Sequence, residues 1–447
     1  MGKSGFYGEN LDIDHLKGSD GLPFLGHTFD YFIDTYKFGK LMHEKYGDVY
    51  RCRAFLQRFI VFSSADGVEY ILKDEANNFS SKLGWEAFLA RLFPNALPTM
   101  DGDEHKHHRR IMQHVFKGPI LRQYSELIND VVEQDMPSWD GLDEVKIYPT
   151  IKSLTLSVAA SAFLGLDLAD DADFVARTFI TVNNGLAPFV PYPVPGLALW
   201  RALRAKQRIF NYFRPMIAER RTKEGLDIFT RLCQAKDEDN QSFTDQAILD
   251  HLVNILAAAH DTTTTSLTIT FYMLLKHPEW QERVREKSIS MGKDRLNYEE
   301  LQDLEELEWV FKEALRIYPP APNLFRRSLR DCEFNGVHIP ANTQVLADCG
   351  YVHRSAEYWT NPMAFDPERF SPSRAEDKKH RHQWVPFGGG AHTCIGLHFA
   401  MMSAKIILHT LLRRYRFDFA DDNDVKFIIL PITKPKGGLK VKLTKLL

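Results

Sequence analysis

The sequence predicts a mainly α protein with a small β part, and three observations predict it. Helical patterns dominate the middle of the 447-residue chain. One helical candidate, from Thr244 to His277, would extend about 50 Å at 1.5 Å per residue. Strand patterns are short and fall mainly within residues 48–65, 325–350 and 425–445. Because a helix as long and apolar as the candidate has to be central, we expect the other helices to pack around it.

Turn residues and hydrophobic periodicity predict the secondary structure of the first half of the chain. "GLPFLGH" is a Pro/Gly turn, and the helical pattern after it stops at Gly47. "DVYRCRAFLQRFIVFSS" alternates and is rich in Val, Phe and Ile, so it predicts a hairpin. Four helical patterns follow: "DEHKHHRRIMQHVF", "YSELINDVVEQDM", "IYPTIKSLTLSVAASAFLGL" and "RALRAKQRIFNYFRPMIAERRTKEG".

The second half begins with the long helix, for which Thr244 and Asp245 offer N-caps and Pro278 a stop. "CEFNGVHIPANTQVLADCG" predicts short strands around turns at Asn335–Gly336 and Pro340. "HFAMMSAKIILHTLLRRYRFDF" predicts a helix directly after a glycine-rich stretch. Because no linker or internal repeat divides the sequence, we predict a single domain over residues 1–447.

Composition excludes several classes of protein. Hydrophobic residues make up 44% and charged residues 26%, and the net charge of −3 gives no global reason to expect nucleic acid as a partner. The five cysteines are scattered without a CxxC pair, which argues for a reducing compartment. The N-terminus lacks the apolar core of a signal peptide. We therefore expect a soluble, cytoplasmic monomer whose membrane contact is at most peripheral.

The stretch "WVPFGGGAHTCIG", Trp384 to Gly396, carries the chemistry. A phosphate-binding P-loop needs Gly-Lys-Ser/Thr, but Cys394 and its neighbours occupy that place and no lysine is present. A structural zinc site needs about four ligands, and only His392 is near. The remaining option is a lone thiolate facing an open metal position, in a loop whose glycines let the backbone approach a flat cofactor.

This stretch resembles the heme-thiolate signature of cytochromes P450, Phe-x-x-Gly-x-(Arg/His)-x-Cys-x-Gly. The matching positions are Phe387, Gly390, His392, Cys394 and Gly396. Further matches in family order are "AAAHDTTTT", "EALR", and "HRSAEYWTNPMAFDPERF". Without them, a chance Gly-rich turn beside a core cysteine would be the alternative. The resemblance covers essentially the whole chain and implies a P450 fold, a helical bundle around a buried heme b with a small β-rich lobe.

The resemblance implies a role for each matching residue. Cys394 would be the axial ligand of the heme iron, and Asp261 and Thr262 would handle dioxygen and its protons. The implied heme-binding residues are His105, Arg109, Arg326 (or Arg327), Phe387, Gly388, His392 and Gly396. Glu313, Arg316 and Arg369 would form a buried ion network.

The threonine run from Thr262 to Thr265 supports a functional site independently. β-branched hydroxyl residues are a poor choice inside a helix, because their hydroxyls compete for the carbonyl one turn back. Broken local rules beside an acid suggest function, whereas a Thr-rich face against the core is the plain alternative. Ala258–Ala259 departs from the family, which often has Gly there, so the oxygen groove is expected to be narrower. The acid–Thr pair also argues against sterol demethylases and fatty-acid peroxygenases.

Four apolar stretches fall where the family builds its substrate pocket: 83–100, 184–200, 321–325 and 428–435. They predict a large, nearly charge-free cavity. The predicted lining residues are Trp85, Leu97, Phe189, Ala258, Leu324 and Ile432. "FPNALPTMDGDEHKHHRR" is similar to retinoic-acid-hydroxylase-like P450s, and a fatty acid, retinoid, terpenoid or steroid would fit. The Pro-rich residues 188–195 are a candidate lid or membrane contact.

The implied function is that of a monooxygenase that uses O2 and electrons from an external partner, such as ferredoxin with its reductase. Five basic residues could dock an acidic ferredoxin, with a solvated charged face as the alternative: Lys378, Lys379, Arg381, Arg413 and Arg414. A peroxide-driven or isomerising heme-thiolate enzyme, or a non-catalytic heme sensor or carrier, is disfavoured because neither requires a proton relay. The run His105, His107, His108 does not share one helix face, so we expect no zinc site there.

Overall fold

The computed structural model describes residue 5 and residues 7–116, 118–165, 172–186, 192–236, 240–420, 425–429 and 432–446. Its helices are α1 (Thr28–Tyr46), α2 (Ala65–Lys73), α3 (Ser81–Gly84), α4 (Leu89–Leu92), α5 (Gly102–Gln113), α6 (Gly118–Asp135), α7 (Ile147–Ala159), α8 (Ala172–Asn183), α9 (Ala198–Phe213), α10 (Met216–Arg220), α11 (Ile228–Gln234), α12 (Asp245–Lys276), α13 (Pro278–Ser290), α14 (Glu305–Ile317), α15 (Cys349–Val352) and α16 (Leu397–Arg414). Its strands are β1 (Gly18–Ser19), β2 (Val49–Ala54), β3 (Gln57–Phe62), β4 (Phe79–Ser80), β5 (Glu144–Lys146), β6 (Asn323–Ser328), β7 (Cys332–Phe334), β8 (Val337–Ile339), β9 (Gln344–Asp348), β10 (Tyr415–Phe419), β11 (Phe427–Ile428), β12 (Lys434–Pro435) and β13 (Lys440–Lys445). The mainly α prediction is confirmed.

The β-rich lobe is built around a six-stranded sheet in the order β1-β2-β3-β9-β6-β4. β2 and β3 form the predicted antiparallel hairpin. β3 pairs in parallel with β9, which pairs antiparallel with β6. Asn335 and Gly336 form the predicted turn between β7 and β8, with φ angles of 47° and 78°. The lobe thus joins two regions that are far apart in the sequence.

The helix predicted after the glycine-rich stretch is shorter than expected, because α16 ends at Arg414 and the next five residues form β10. Tyr415 and Phe417 are buried, whereas Arg416 and Asp418 are exposed. This period of two is typical of a half-buried strand and not of a helix. β10 pairs with the C-terminal β13, which in turn pairs with β5.

Helix α12 lies at the centre of the helical region, as its length and apolar composition predict. The Thr244 side chain caps it by accepting the N–H of Ala247 at 3.2 Å. Its residues from Ile248 to Ala257 are buried, and α7, α14 and α16 pack against the helix. Because other elements cover α12 on all sides, its apolar residues are distributed around the whole helix and no single face is strongly polar.

The helix Ile147–Leu164, which comprises α7 and the π-turn after it, is long and apolar enough to cross a membrane, judged by length and composition. In the described part of the chain, 56% of that segment is buried inside the fold. Thr155 of this helix hydrogen-bonds the Thr264 hydroxyl of α12 at 2.7 Å. Packing against the central helix is a sufficient reason for its apolar character.

Candidate active site

The glycine-rich stretch folds into a loop pressed against α2. Gly390 has a φ of 62°, and a Cβ atom there would come within 1.9 Å of the Leu72 carbonyl oxygen, so only glycine fits. The N–H of Cys394 donates to the Phe387 carbonyl at 2.8 Å. The N–H of Gly396 favours the ionised form of the Cys394 sulfur. The loop therefore fixes one thiol in front of α16, beside a backbone N–H that favours its thiolate.

The Cys394 side chain is exposed, although many protein atoms lie around its sulfur. The sulfur is therefore open to a cofactor and still partly shielded from bulk water. Burial raises the pKa of the thiol, while the Gly396 N–H and the Arg109 guanidinium act in the opposite direction. A metal ion that coordinates a thiol deprotonates it, so a bound metal would overcome the effect of burial and keep Cys394 ionised.

Four cationic or donor side chains gather beside this loop. The rings of His105 and His392 lie 4.0 Å apart, and their pKa values are lowered, mainly by burial, to about 4 and about 2. Burial also lowers the pKa of Arg109 and that of Arg326, the latter to about 10. Within the described residues, neither arginine forms a salt bridge, although the charges of Asp101 and Asp74 act on Arg326, and Nε2 of His105 has no hydrogen-bond partner.

This donor set fits a heme. A buried guanidinium without a carboxylate is costly, and two anionic propionates would supply the missing partners. A thiol as the axial ligand and an adjacent cluster of buried donors match the needs of an iron porphyrin. The residues that would hold its two acidic groups are His105, Arg109, Arg326 and His392.

The structure distinguishes Arg326 from Arg327, which the sequence left open. Along β6 successive side chains point to opposite faces. Arg327 contacts Glu86 at 3.1 Å and the Gln344 side chain at 3.3 Å. Arg326 is only 5% exposed, and its charge lowers the pKa of both His105 and His392. Arg326 is therefore the arginine on the side of the histidine pair.

Thr262 lies on the face of α12 that lines an internal cavity. Its hydroxyl donates to the Ala258 carbonyl one turn back, at 2.6 Å. Thr264, Ser266, Thr268 and Thr270 make the same kind of bond. α12 is nevertheless continuous, so the hydroxyl bonds do not interrupt the helix. The Thr262 oxygen keeps its lone pairs available toward the cavity.

Asp261 has two partners that sequence reasoning missed. Lys152 of α7 contacts one carboxylate oxygen at 2.8 Å, and the Asn183 amide donates to the other at 2.6 Å. Both oxygens are engaged, and only 12% of the Asp261 side chain is exposed. No local pattern identifies Lys152, because it lies on a separate helix and an isolated lysine in an apolar helix is common.

Glu313, Arg316 and Arg369 meet as a fully buried ion network. Arg316 donates to both Glu313 oxygens, at 2.7 and 2.9 Å, and Arg369 donates to one of them at 3.1 Å. The three side chains are 0% exposed. Glu376 extends the network through Arg369 at 3.1 Å, a member that the sequence did not suggest. The network links α14 to the segment that precedes the cysteine loop.

A cavity of about 500 Å³ extends from Thr262 toward α1 and the β2–β3 turn. Trp85, Ala258 and Ile432 line it, as predicted. Leu97 and Leu324 do not appear among its described lining residues; Leu97 packs in the core, and Leu324 lies near Gly388. Phe189 lies outside the described residues. The described lining residues that carry polar side-chain atoms are Tyr7, Thr28, Trp85, Asn254, Thr262 and Asn323.

The predicted ferredoxin-docking set is only partly exposed. Lys378, Lys379 and Arg381 are exposed. Arg413 is 9% exposed and donates to the Ser288 carbonyl and to Asp294, at 2.9 and 2.8 Å. Its guanidinium is therefore a structural group, and its assignment to a docking surface was wrong.

Comparisons with known proteins agree with this geometry. A family model described as cytochrome P450 matches residues 16–443. A Mycobacterium tuberculosis protein named cytochrome P450 136 is 36% identical over 409 residues, which are 90% of this chain and 83% of that protein. Human cytochrome P450 26B1 is 28% identical, with 95% of this chain and 86% of that protein covered. The solved structure of retinoic-acid-bound cyanobacterial CYP120A1 has a TM-score of 0.88 and 28% identity, covering 96% of this chain and 99% of that one.

Proposed function

The chain belongs to the cytochrome P450 family of heme-binding monooxygenases, and from this premise we propose that it hydroxylates a lipophilic molecule of retinoid or terpenoid type. The observation that carries the proposal is the cavity of about 500 Å³, which reaches Thr262 and has a predominantly apolar lining. An apolar molecule with an isoprenoid chain suits such a cavity in size and polarity. A relative of similar fold is known with retinoic acid bound, which supports this class over steroids and fatty acids.

Heme would supply the oxidising chemistry when it is bound, and Cys394 is the proposed thiolate ligand that would donate electron density to its iron. His105, Arg109, Arg326 and His392 are the proposed partners of its propionates, and together they would hold the heme beside the cysteine loop. Phe387, Gly388 and Gly396 are proposed to shape the loop against it.

Thr262 is the proposed hydrogen-bonding group at the oxygen site, because its hydroxyl is the polar atom of α12 next to Ala258 in the cavity lining. Its hydroxyl donates to the Ala258 carbonyl, so its lone pairs can accept a hydrogen bond from water in the cavity. Once the hydroxyl turns away from that carbonyl, it can pass its proton into the cavity and take another from water. Asp261 is proposed to relay protons through water, its carboxylate taking one up from one water molecule and giving it to the next. Lys152 and Asn183 would hold its carboxylate in place until it turns toward the cavity.

Electrons come from an external redox partner, and we propose an acidic ferredoxin docked near Lys378, Lys379 and Arg381. The decisive experiment supplies the purified holoenzyme with NAD(P)H, ferredoxin reductase and ferredoxin, together with retinoids or terpenoids. Binding is read as the shift of heme absorbance when iron-bound water leaves, and products by mass spectrometry. Hydroxylated product that depends on ferredoxin supports the proposal, whereas turnover with peroxide alone contradicts it.

A further inference from the structure

The cavity lining contains an amide without a partner. Asn254 of α12 is 6% exposed and lines the cavity, and its side chain makes no hydrogen bond within the described part of the chain. Two other polar side chains on the same walls make hydrogen bonds: Thr28 accepts the N–H of Phe55 at 2.7 Å, and Thr262 donates to the Ala258 carbonyl. The Asn323 oxygen also lacks a partner among the described residues, but protein encloses that oxygen and a ligand in the cavity does not reach it. A buried amide ordinarily has a hydrogen-bond partner. The free donors and acceptor of Asn254 therefore point to a ligand.

The described part of the same lining offers no positive charge. Among its described residues there is no lysine, arginine or histidine. Lys206, which stacks over the cavity residue Phe93, is bound to Asp250 at 2.9 Å and to the Leu92 carbonyl at 3.0 Å. Arg91 stacks on Tyr7 and Tyr192. Burying a carboxylate without a cation costs several kcal/mol of free energy, whereas a neutral hydroxyl or carbonyl needs only one good hydrogen bond.

We propose that Asn254 binds a neutral oxygen group of the substrate, so that this enzyme prefers lipophilic alcohols, aldehydes or ketones over carboxylic acids. The inference rests on the proposed function and narrows its substrate class. Asn254, Ala258 and Thr262 follow one another at four-residue spacing and share one face of α12. Two turns, about 12 Å along the axis, separate Asn254 from Thr262. One substrate molecule can therefore be bound through its oxygen group at Asn254 and be oxidised at a distant carbon atom near Thr262.

The experiment uses pairs of ligands that differ only in their head group. Retinol and retinoic acid form one pair, and hexadecanol and hexadecanoic acid form the other. Each is titrated into the holoenzyme and its dissociation constant is read from the heme absorbance. The alcohol of at least one pair is expected to bind at least about tenfold more tightly than its acid, because the acid has to be buried without a cation or give up its charge.

Asn254→Leu keeps the branched shape of the side chain and removes its hydrogen-bonding groups. It is expected to weaken alcohol binding roughly three- to tenfold and to leave acid binding nearly unchanged. Asn323→Leu is the matched variant, since Asn323 is also a buried amide of the lining whose oxygen has no partner among the described residues, but that oxygen is enclosed by protein and does not face a ligand. It is expected to keep the preference. The carbon-monoxide spectrum of each variant reports whether heme and fold are intact.

The outcomes separate two failures. If all four lipids leave the heme absorbance unchanged, and no other retinoid or terpenoid shifts it, the proposed function itself is wrong. If lipids bind but acids bind as tightly as alcohols, the preference for neutral groups is wrong while the monooxygenase function stands. If the preference survives in Asn254→Leu and disappears in Asn323→Leu, the assignment to Asn254 is overturned.

Discussion

Cys394 is the residue on which the proposed chemistry depends, and two opposing influences act on its thiol. Burial disfavours the thiolate, whereas the Gly396 N–H and Arg109 favour it. A metal ion that binds the sulfur decides the balance, because its charge is larger and closer than either. The Gly396 N–H can therefore tune the site, because it acts directly on the sulfur atom that would bind the metal.

Replacing Cys394 by Ser is expected to abolish hydroxylation and the thiolate form of the carbon-monoxide difference spectrum. A serine oxygen neither ionises nor donates electron density as a thiolate does. Cys332→Ser is the control, because Cys332 lies in the β lobe, outside the loop. A variant at position 394 with an unaltered spectrum would falsify the assignment of the iron ligand.

Replacing Thr262 by Ala is expected to uncouple electron consumption from product formation, by about tenfold or more if the hydroxyl takes part in proton transfer. Thr262→Ser, which keeps the hydroxyl, is expected to restore most of the coupling. The measurement is the ratio of hydroxylated product to NAD(P)H consumed. Equal coupling in the wild type and the Ala variant would mean that another group manages the protons.

At the scale of the helix, α12 shows how a run of threonines can remain helical. Each hydroxyl that bonds the preceding turn satisfies a group that would otherwise be buried without a partner. Thr265 instead donates to the Thr433 carbonyl at 2.7 Å, which ties the helix to the segment beside Ile432. The run therefore serves packing as well as the cavity, and only Thr262 of the four lines the cavity among the described residues.

The contact between Lys152 and Asp261 joins α7 to α12, and a double-mutant cycle can measure it. The free energy of unfolding in urea is measured for the wild type, for Lys152→Met, for Asp261→Asn and for the double variant. Because the pair is largely buried, we expect a coupling free energy of roughly 1–3 kcal/mol. A coupling close to zero would indicate that Asn183 and water hold Asp261 without the lysine.

The whole molecule contains several histidines that the fold keeps neutral. Burial lowers the pKa of His251 and His353 to about 3 and that of His409 to about 4. In the unfolded chain these rings take up protons near pH 6.5. The unfolded state therefore binds more protons below that pH, and the free energy of unfolding falls as the pH falls from about 6.5 toward 3–4.

The expected loss of stability approaches about 1.4 kcal/mol per pH unit for each such histidine once its unfolded form is protonated. Urea unfolding of the holoenzyme at pH values from 7.5 to 5 measures this slope. His251→Gln is expected to reduce this slope by the contribution of one histidine. A slope that does not change on this substitution would contradict the neutral buried state of His251.

That the 447 residues form one domain stays a prediction. The six-stranded sheet contacts α1, α2, α3 and α15, and the ion network of Glu313 joins α14 to the segment before the cysteine loop. We expect heating to release heme and unfold both lobes in one transition. Heme absorbance and circular dichroism, recorded in the same experiment, measure that transition. Two separate transitions would indicate that the β lobe folds independently.

The sequence by itself determined the helix-rich class, the central helix, the β hairpin and the thiol of the cysteine loop. These depend on periodicity, capping, turn residues and spacing within one segment, which are local properties. It did not determine that Tyr415 starts a strand, because only the pairing with β13 makes that pattern stable.

Only the tertiary structure decided which side chains share a space. Lys152 meets Asp261, Arg326 and not Arg327 faces the histidine pair, and Arg413 is tied to Asp294. It also placed Asn254, which has no hydrogen-bond partner among the described residues, on a cavity wall whose described residues carry no charge. Such contacts join residues from different elements, so no local pattern encodes them; they arise when packing brings distant faces together and removes water from between them.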